Sequence, residues 1–251
     1  ETVDGPALTG TNRAQATSKR FWKTVGIETH TDHFRVTLDN RGLKTPDGNP
    51  LAIPRSKRLL ATLIADEWEN QEKLIKPHAL PLTSLASRVI DGMNNAETRA
   101  GVEAALLKYL DTDTVCFHET APLALVELQH KHWDPLLEWA RAEYKAEIRV
   151  FDSLLINTQP KATRDVFARA LKGLDNWQLA AMERAVYTTK SFIIALALIQ
   201  GRISVEEASE ASHVEVNSQI RKWGEVEDSH DVDHRDVRRL LGSVACVLSN
   251  M

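Results

Sequence analysis

The spacing of apolar residues changes at Pro54, and this change limits the folds open to the chain more than any other feature. Across residues 33–38, apolar side chains alternate with polar ones, which is the period of a strand with one buried face. Beyond Pro54, Leu60, Ile64 and Trp68 recur at the spacing of one helix face. The pattern therefore predicts a small sheet covered by one amphipathic helix.

Turn-forming residues divide the segment before Pro54 into short pieces. The clusters at residues 39–42 and 45–50 are rich in Asn, Asp, Gly and Pro, which supply the positive and fixed φ angles of tight reversals. The predicted strands are residues 21–28, 33–38, 43–45 and 51–53. Together they form a meandering sheet.

Helical signals dominate the rest of the chain. The predicted helices are residues 98–109, 134–144, 163–171, 176–190 and 191–200, followed by a helix that starts at a capping box of Ser204 and Glu207. Residues 148–151 are rich in β-branched and aromatic side chains, which predicts a short strand within this half. We therefore predict an α+β fold with a flexible segment at 1–19, an α+β domain at 20–95 and a helical domain at 96–251.

An acidic segment near the C-terminus is the main functional signal. Residues 223–236 contain six carboxylates and one arginine, about five net negative charges. These carboxylates repel one another, so the segment is most stable in water or opposite a basic surface. Apolar residues follow at helical spacing over 237–247, so the acids adjoin a packed helix. The segment predicts a docking surface, and a merely solvated helix face is the alternative.

Composition excludes several classes of function. The net charge is −4 and the basic residues are scattered, which argues against binding to nucleic acid. No apolar run reaches the roughly 20 residues of a membrane-spanning helix. Cys116 and Cys246 form no metal or disulfide pattern, which favours a reducing compartment. Phosphate-binding glycine loops and nucleophile elbows are absent, so we expect neither catalysis nor a cofactor.

A pair of histidines provides the enzymatic alternative. His230 and His234 lie four residues apart and face one way on a helix, with Asp231 where a zinc protease has its glutamate. A zinc-dependent hydrolase would use them as ligands, although the sequence indicates no third ligand. Asp111 and Asp113 with Cys116 and His118 form a weaker candidate cluster. Paired carboxylates this close are common at helix ends, and Cys116 is expected as a small core residue.

The tryptophans are expected mainly in the core. Those that lie on or beside apolar stripes are Trp68, Trp133, Trp139, Trp177 and Trp223. Acidic neighbours flank Trp68, which places it at the edge of its helix face. There it could serve either packing or contact with a partner.

Several short blocks, taken in order, resemble one known family. They are residues 20–23 (Arg-Phe-Trp-Lys), 43–51, 67–68, 81–83, 109–113 (Tyr-Leu-Asp-Thr-Asp), 133–137 and 223–227 (Trp-Gly-Glu-Val-Glu). They are similar to the assembly chaperone family of mitochondrial F-type ATP synthase, called assembly factor 2 in animals. The resemblance covers nearly all of residues 20–250, and its last block is closest to the fungal members.

The resemblance implies a two-domain, non-catalytic chaperone of the mitochondrial matrix, with any targeting sequence absent from the chain as given. Such a chaperone, a monomer when free, binds the unassembled α subunit of the catalytic head until the β subunit replaces it. The family's important acid corresponds to Glu227, and Glu225 is its less constant neighbour. We expect Asp228 and Asp231 beside them and Trp68 as a further contact. A helical adaptor for an unrelated basic partner stays an alternative.

Overall fold

In the computed structural model, the described residues are 19–152, 157–225 and 229–249. They form two compact units, of which the first ends at Ser84 and the second is Leu85–Ser249. A small antiparallel sheet precedes a long series of helices, so the predicted α+β class is confirmed. The domain limits predicted near residues 20 and 95 stay predictions. No helix in these ranges is long and apolar enough to cross a bilayer.

The sheet of the first unit is built around its second strand. Its strands are β1 (Val25–Thr29), β2 (His33–Leu38), β3 (Arg41–Gly42) and β4 (Ala52–Pro54). Strand β2 pairs antiparallel with β1 on one side and with β3 and β4 on the other. The alternation at residues 33–38 therefore predicted the central strand correctly.

The strand predicted at residues 43–45 is wrong. The amide of Leu43 donates to the carbonyl of Val36, and the amide of Leu51 donates to that of Leu43. Only a single bridge, between Lys44 and Pro50, follows before the turn at Gly48, where φ is 85°. The turn begins too early for a paired strand, and the regular pairing lies instead at Arg41–Gly42.

One amphipathic helix covers the sheet, as its period predicted. Helix α1 (Arg58–Glu69) packs against β1, β2 and β4. Leu60, Ala61 and Ile64 of its inner face are fully buried. Burying a leucine or isoleucine side chain such as Leu60 or Ile64 stabilises the fold by about 1.5–3 kcal/mol. Helix α2 (Pro81–Arg88) follows and continues into one wider turn at Val89–Met93.

The second unit is a bundle of helices. They are α3 (Ala96–Lys108), α4 (Leu123–His132), α5 (Asp134–Tyr144), α6 (Lys161–Lys172), α7 (Asn176–Thr189), α8 (Phe192–Ile199), α9 (Val205–Ser212), α10 (Val214–Trp223) and α11 (Ser229–Leu248). The capping box of Ser204 and Glu207 is present at the start of α9. Helices α4 and α10 were not predicted.

The short strand predicted at residues 148–151 is wrong. Of these residues only Phe151 takes part in pairing, as one isolated bridge to Phe117. Its amide donates to the carbonyl of Cys116, and its carbonyl accepts from the amide of His118. Gln159 occupies the hydrogen-bonding groups of Arg149 instead, so no ladder can extend.

Asp113 caps the buried helix α8. One carboxylate oxygen accepts from the amide of Ile193 at 2.9 Å, and the other accepts from the amide of Val115 at 3.0 Å. Burial raises the pKa of Asp113 from 3.8 to about 6, in spite of hydrogen bonds that act to lower it. Of the weaker candidate cluster, Asp113 thus caps a helix and Cys116 is a buried free cysteine of the core.

Replacing Asp113 should change how stability depends on pH. A folded-state pKa of about 6, above the ordinary 3.8, means that stability from the protonated group is present near pH 4 and lost as pH rises through 6. Relative to the Asp113→Asn variant, the parent should lose about 3 kcal/mol of unfolding free energy between pH 4 and 7. Urea unfolding of both proteins measures this, and a constant difference would contradict it.

Candidate partner-binding site

The predicted docking residues lie where two helices of the second unit meet. Helix α10 ends at Trp223, and Gly224 adopts a φ of 87°, a left-handed value that favours glycine and stops the helix. Helix α11 begins at Ser229. Glu225 and Asp231 are exposed on either side of this junction. Glu227 and Asp228 lie outside the described residues.

The carboxylates at the junction differ in their internal partners. Asp233 lies 3.1 Å from the Nε2 atom of His213, and Asp236 accepts a hydrogen bond from Arg239. Glu225 and Asp231, by contrast, form no ion pair within the described part of the chain. Their charge is therefore compensated mainly by solvent and is available to a basic partner.

Exposed apolar side chains accompany these acids. Trp223 is 71% exposed, Val232 is 65% exposed and Leu123 is 72% exposed. The expectation that Trp223 packs in the core is therefore wrong. A cation lies over this ring: the Nζ atom of Lys222 is 4.7 Å from the centre of the Trp223 ring.

Leu123 belongs to the same end of the bundle as Trp223. Helices α4 and α10 pack together, and Arg221 of α10 lies 3.9 Å from Glu127 of α4. Leu123 is one turn before Glu127, and His132 at the opposite end of α4 lies 3.8 Å from Glu210, which precedes α10. The two helices are thus antiparallel, and the first turn of α4 lies beside the last turn of α10. Leu123 could not be found from the sequence because it lies about a hundred residues from the junction.

Two further contacts hold the start of α11 against the bundle. The rings of His213 and His234 stack with centres 4.0 Å apart, and His213 also bonds the carbonyl of Ser209. Burial, followed by the nearby His213, lowers the pKa of His234. Arg238 binds both carboxylate oxygens of Glu206 at 3.0 Å. These contacts fix the direction in which α11 presents Asp231 and Val232.

The same contacts bear on the zinc alternative. His234 is engaged by the ring of His213, while the side chain of His230 lies outside the described residues. Among the side chains that the structure describes, no group of three or more His, Cys, Asp or Glu could hold a metal ion.

Trp68 lies in the first unit and is half-buried. Its indole N–H donates to the hydroxyl of Thr83 at 3.0 Å, and its ring meets that of Trp22 edge-on at 5.2 Å. The adjacent Glu67 accepts hydrogen bonds from the amides of Leu82 and Thr83. These bonds fasten the end of α1 to the first turn of α2. Packing thus accounts for Trp68, and its contact role stays a prediction.

Comparison with known proteins places the chain among named relatives. Residues 19–141 match the family model described as ATP12 chaperone protein. Protein atp12, mitochondrial, of Schizosaccharomyces pombe is 32% identical over 239 residues, which cover 92% of this chain and 82% of the relative. Protein ATP12, mitochondrial, of Saccharomyces cerevisiae is 32% identical over 287 residues, covering 97% and 88%.

Solved structures agree with these sequence relatives. The Atu1473 protein, a putative chaperone from Agrobacterium tumefaciens, superposes with a TM-score of 0.80 at 31% identity, covering 97% of this chain and 91% of its own. Atp12 from Paracoccus denitrificans has a TM-score of 0.75 at 31% identity, covering 91% and 99%.

Trp68→Arg should act by destabilising the first unit. The substitution removes the contact with Trp22 and the hydrogen bond to Thr83, and we expect a loss of about 3–5 kcal/mol in the free energy of unfolding. Asp66→Arg places the same side chain at an exposed position of α1 and should leave stability nearly unchanged. Chemical denaturation compares the two. Unchanged stability of Trp68→Arg together with lost partner binding would show instead that the side chain is a contact residue.

Trp223→Ala should leave stability within about 0.5 kcal/mol of the parent, because most of the ring already faces water. Trp133→Ala is the matched control. Trp133 is fully buried and donates to the carbonyl of Ala211 at 2.8 Å, so its loss should cost about 3–5 kcal/mol. Urea unfolding measures the free energy of unfolding of both variants. Equal losses would mean that Trp223 is packed in the core rather than exposed.

Proposed function

The chain belongs to the ATP12 chaperone family, and we propose that it binds the unassembled α subunit of the mitochondrial F-type ATP synthase head. In this proposal it works in the matrix, shields the α subunit from aggregation and yields it to the β subunit. It acts as a monomer, without catalysis or a cofactor, and binds neither nucleic acid nor membranes. The names of two relatives, both described as mitochondrial, support a mitochondrial location.

One observation carries the choice of site: exposed apolar side chains lie beside acids that have no ion pair in the described chain. A chaperone of an assembly subunit must cover an interface that is mostly apolar at its centre. Trp223 and Leu123 offer such anchors, and tryptophan is enriched among residues that dominate binding energy. The acids select a basic partner and speed encounter, while a partly polar contact keeps release possible.

We assign the leading role to Glu227, by its correspondence with the family's important acid. It follows Glu225 and precedes Asp228 and Asp231, so one charge-selected contact could use all four. Each would face a basic side chain of the α subunit, with an arginine opposite Glu227. Trp68 is kept as a second contact, to be separated from packing by the stability measurement on its arginine variant.

Glu227→Lys should abolish binding while the fold survives. Reversal relieves repulsion among the neighbouring acids in the free protein but turns attraction at the interface into repulsion, which costs about 2–5 kcal/mol in binding. Light scattering of isolated α subunit should show lost protection, with an unchanged melting curve. Glu138→Lys reverses an exposed acid on α5 and should protect as the parent does. Undiminished protection by Glu227→Lys would remove Glu227 from the site.

Co-purification tests the client itself. The parent protein is mixed with isolated α or β subunit, and retention of α alone supports the proposal. Retention of β alone, or of neither subunit, contradicts the proposal. That result would favour the alternative of a helical adaptor for an unrelated basic partner. Stoichiometric zinc in a chelator-free preparation, lost on replacing His234, would favour the hydrolase instead.

A further inference from the structure

Strand β1 leaves one edge of the sheet open. It pairs with β2 on one side, and no strand within residues 19–152, 157–225 and 229–249 pairs with its other side. An open edge carries backbone N–H and C=O groups that can pair with another chain. Such an edge is a template for binding an extended peptide.

The hydrogen-bond pattern shows which backbone groups are open. The amide of His30 donates to His33, and that of Asp39 donates to Thr24, at the two ends of the β1–β2 pair. Opposite residues in an antiparallel ladder alternate between hydrogen-bonded and non-hydrogen-bonded pairs. The backbone N–H and C=O groups at the even positions of β1 therefore point toward β2. The N–H and C=O groups of Val25, Ile27 and Thr29 therefore point outward.

A groove runs along this edge between the sheet and α1. It has a volume of about 450 Å³ and is lined by Ile27, Thr29, Phe34, Arg55, Arg58 and Thr62. Ile27 lies opposite the buried Val36, so its side chain is on the covered face of the sheet, yet it remains exposed at the edge. The space is where inward side chains of one more strand would lie.

The charges of the groove indicate which strand would fit. The guanidinium of Arg55 lies 4.6 Å from the centre of the Phe34 ring, and Arg58 opens helix α1. Neither arginine forms an ion pair with any side chain that the structure describes, and the first turn of α1 contains no acid. An inward carboxylate on the added strand would supply the missing partner, since arginine binds carboxylates through two parallel hydrogen bonds.

We propose that the open edge of β1 binds an extended acidic polypeptide segment, which adds to the sheet as a further strand. Its backbone pairs with Val25, Ile27 and Thr29. A carboxylate on its inward face meets Arg55 and Arg58, and a neighbouring apolar side chain on that face meets Ile27. This site takes a partner of opposite charge to the one selected at the acidic junction, and it does not depend on the identity of the client there.

A synthetic heptapeptide, acetyl-Ser-Val-Ser-Glu-Ser-Val-Ser-amide, tests the proposal on the full chain. Amide exchange followed by NMR should show Val25, Ile27 and Thr29 exchanging quickly in the free protein, and Gly26 and Glu28 slowly. The peptide should protect the three outward amides. Replacing its glutamate by lysine should weaken binding at least tenfold. Methylating alternate backbone nitrogens, so that the peptide cannot pair, should abolish binding.

Protein variants complete the test. Ile27→Pro removes one outward N–H. An edge strand tolerates proline where the missing N–H faces solvent, so the variant should lose binding with little change in melting temperature. If that variant does not fold, the double variant Arg55→Gln, Arg58→Gln decides, with an expected loss of at least fivefold.

Three results would overturn the proposal. Outward amides already protected in the free protein at every concentration would mean that the chain's own residues occupy the edge. Protection that grows with protein concentration would mean that a second copy does. Equal binding of the methylated peptide would mean that no strand is added.

Discussion

Helix α8 must be enclosed on every side, and the second unit is arranged to do so. Seven of its eight residues, from Phe192 to Leu198, are buried, so no face can be given to water. Helices α5, α7, α9 and α11 all pack against it. A helix this short is marginal alone, and Asp113 satisfies amides at its buried start that no solvent could reach. The position of α11, and hence of the acidic junction, follows from that enclosure.

Local signals in the sequence predicted much of the fold. The strand at residues 33–38, helix α1 and the capping box at Ser204 depend on neighbours within a few positions, which the chain order displays. The errors lie where distant contacts decide. Residues 148–151 have strand-forming side chains, but Gln159 takes the hydrogen bonds that a partner strand would need. Helix α4 gains its buried face by packing on α5, α9 and α10.

The sequence revealed the acidic charge of the candidate site but not which of its side chains are exposed. Six acids in a short segment are evident from the residues alone, but which of the described acids are paired depends on His213 and Arg239. Trp223 follows an apolar stripe, which says nothing about whether another helix covers it. No helix among the described residues covers Trp223, which is 71% exposed, and Leu123 at the same end of the bundle comes from α4.

The exposed tryptophan at the end of α10 has a consequence for the protein's own solubility. An exposed apolar patch large enough to shield a client could also bind a second copy of the chain. Two such patches brought face to face would oppose their unpaired carboxylates, and like charges at close range repel strongly. Lys222 further screens one face of the ring until something displaces it. If these charges select a basic client, as proposed, the same charges would oppose association between two copies of the chain.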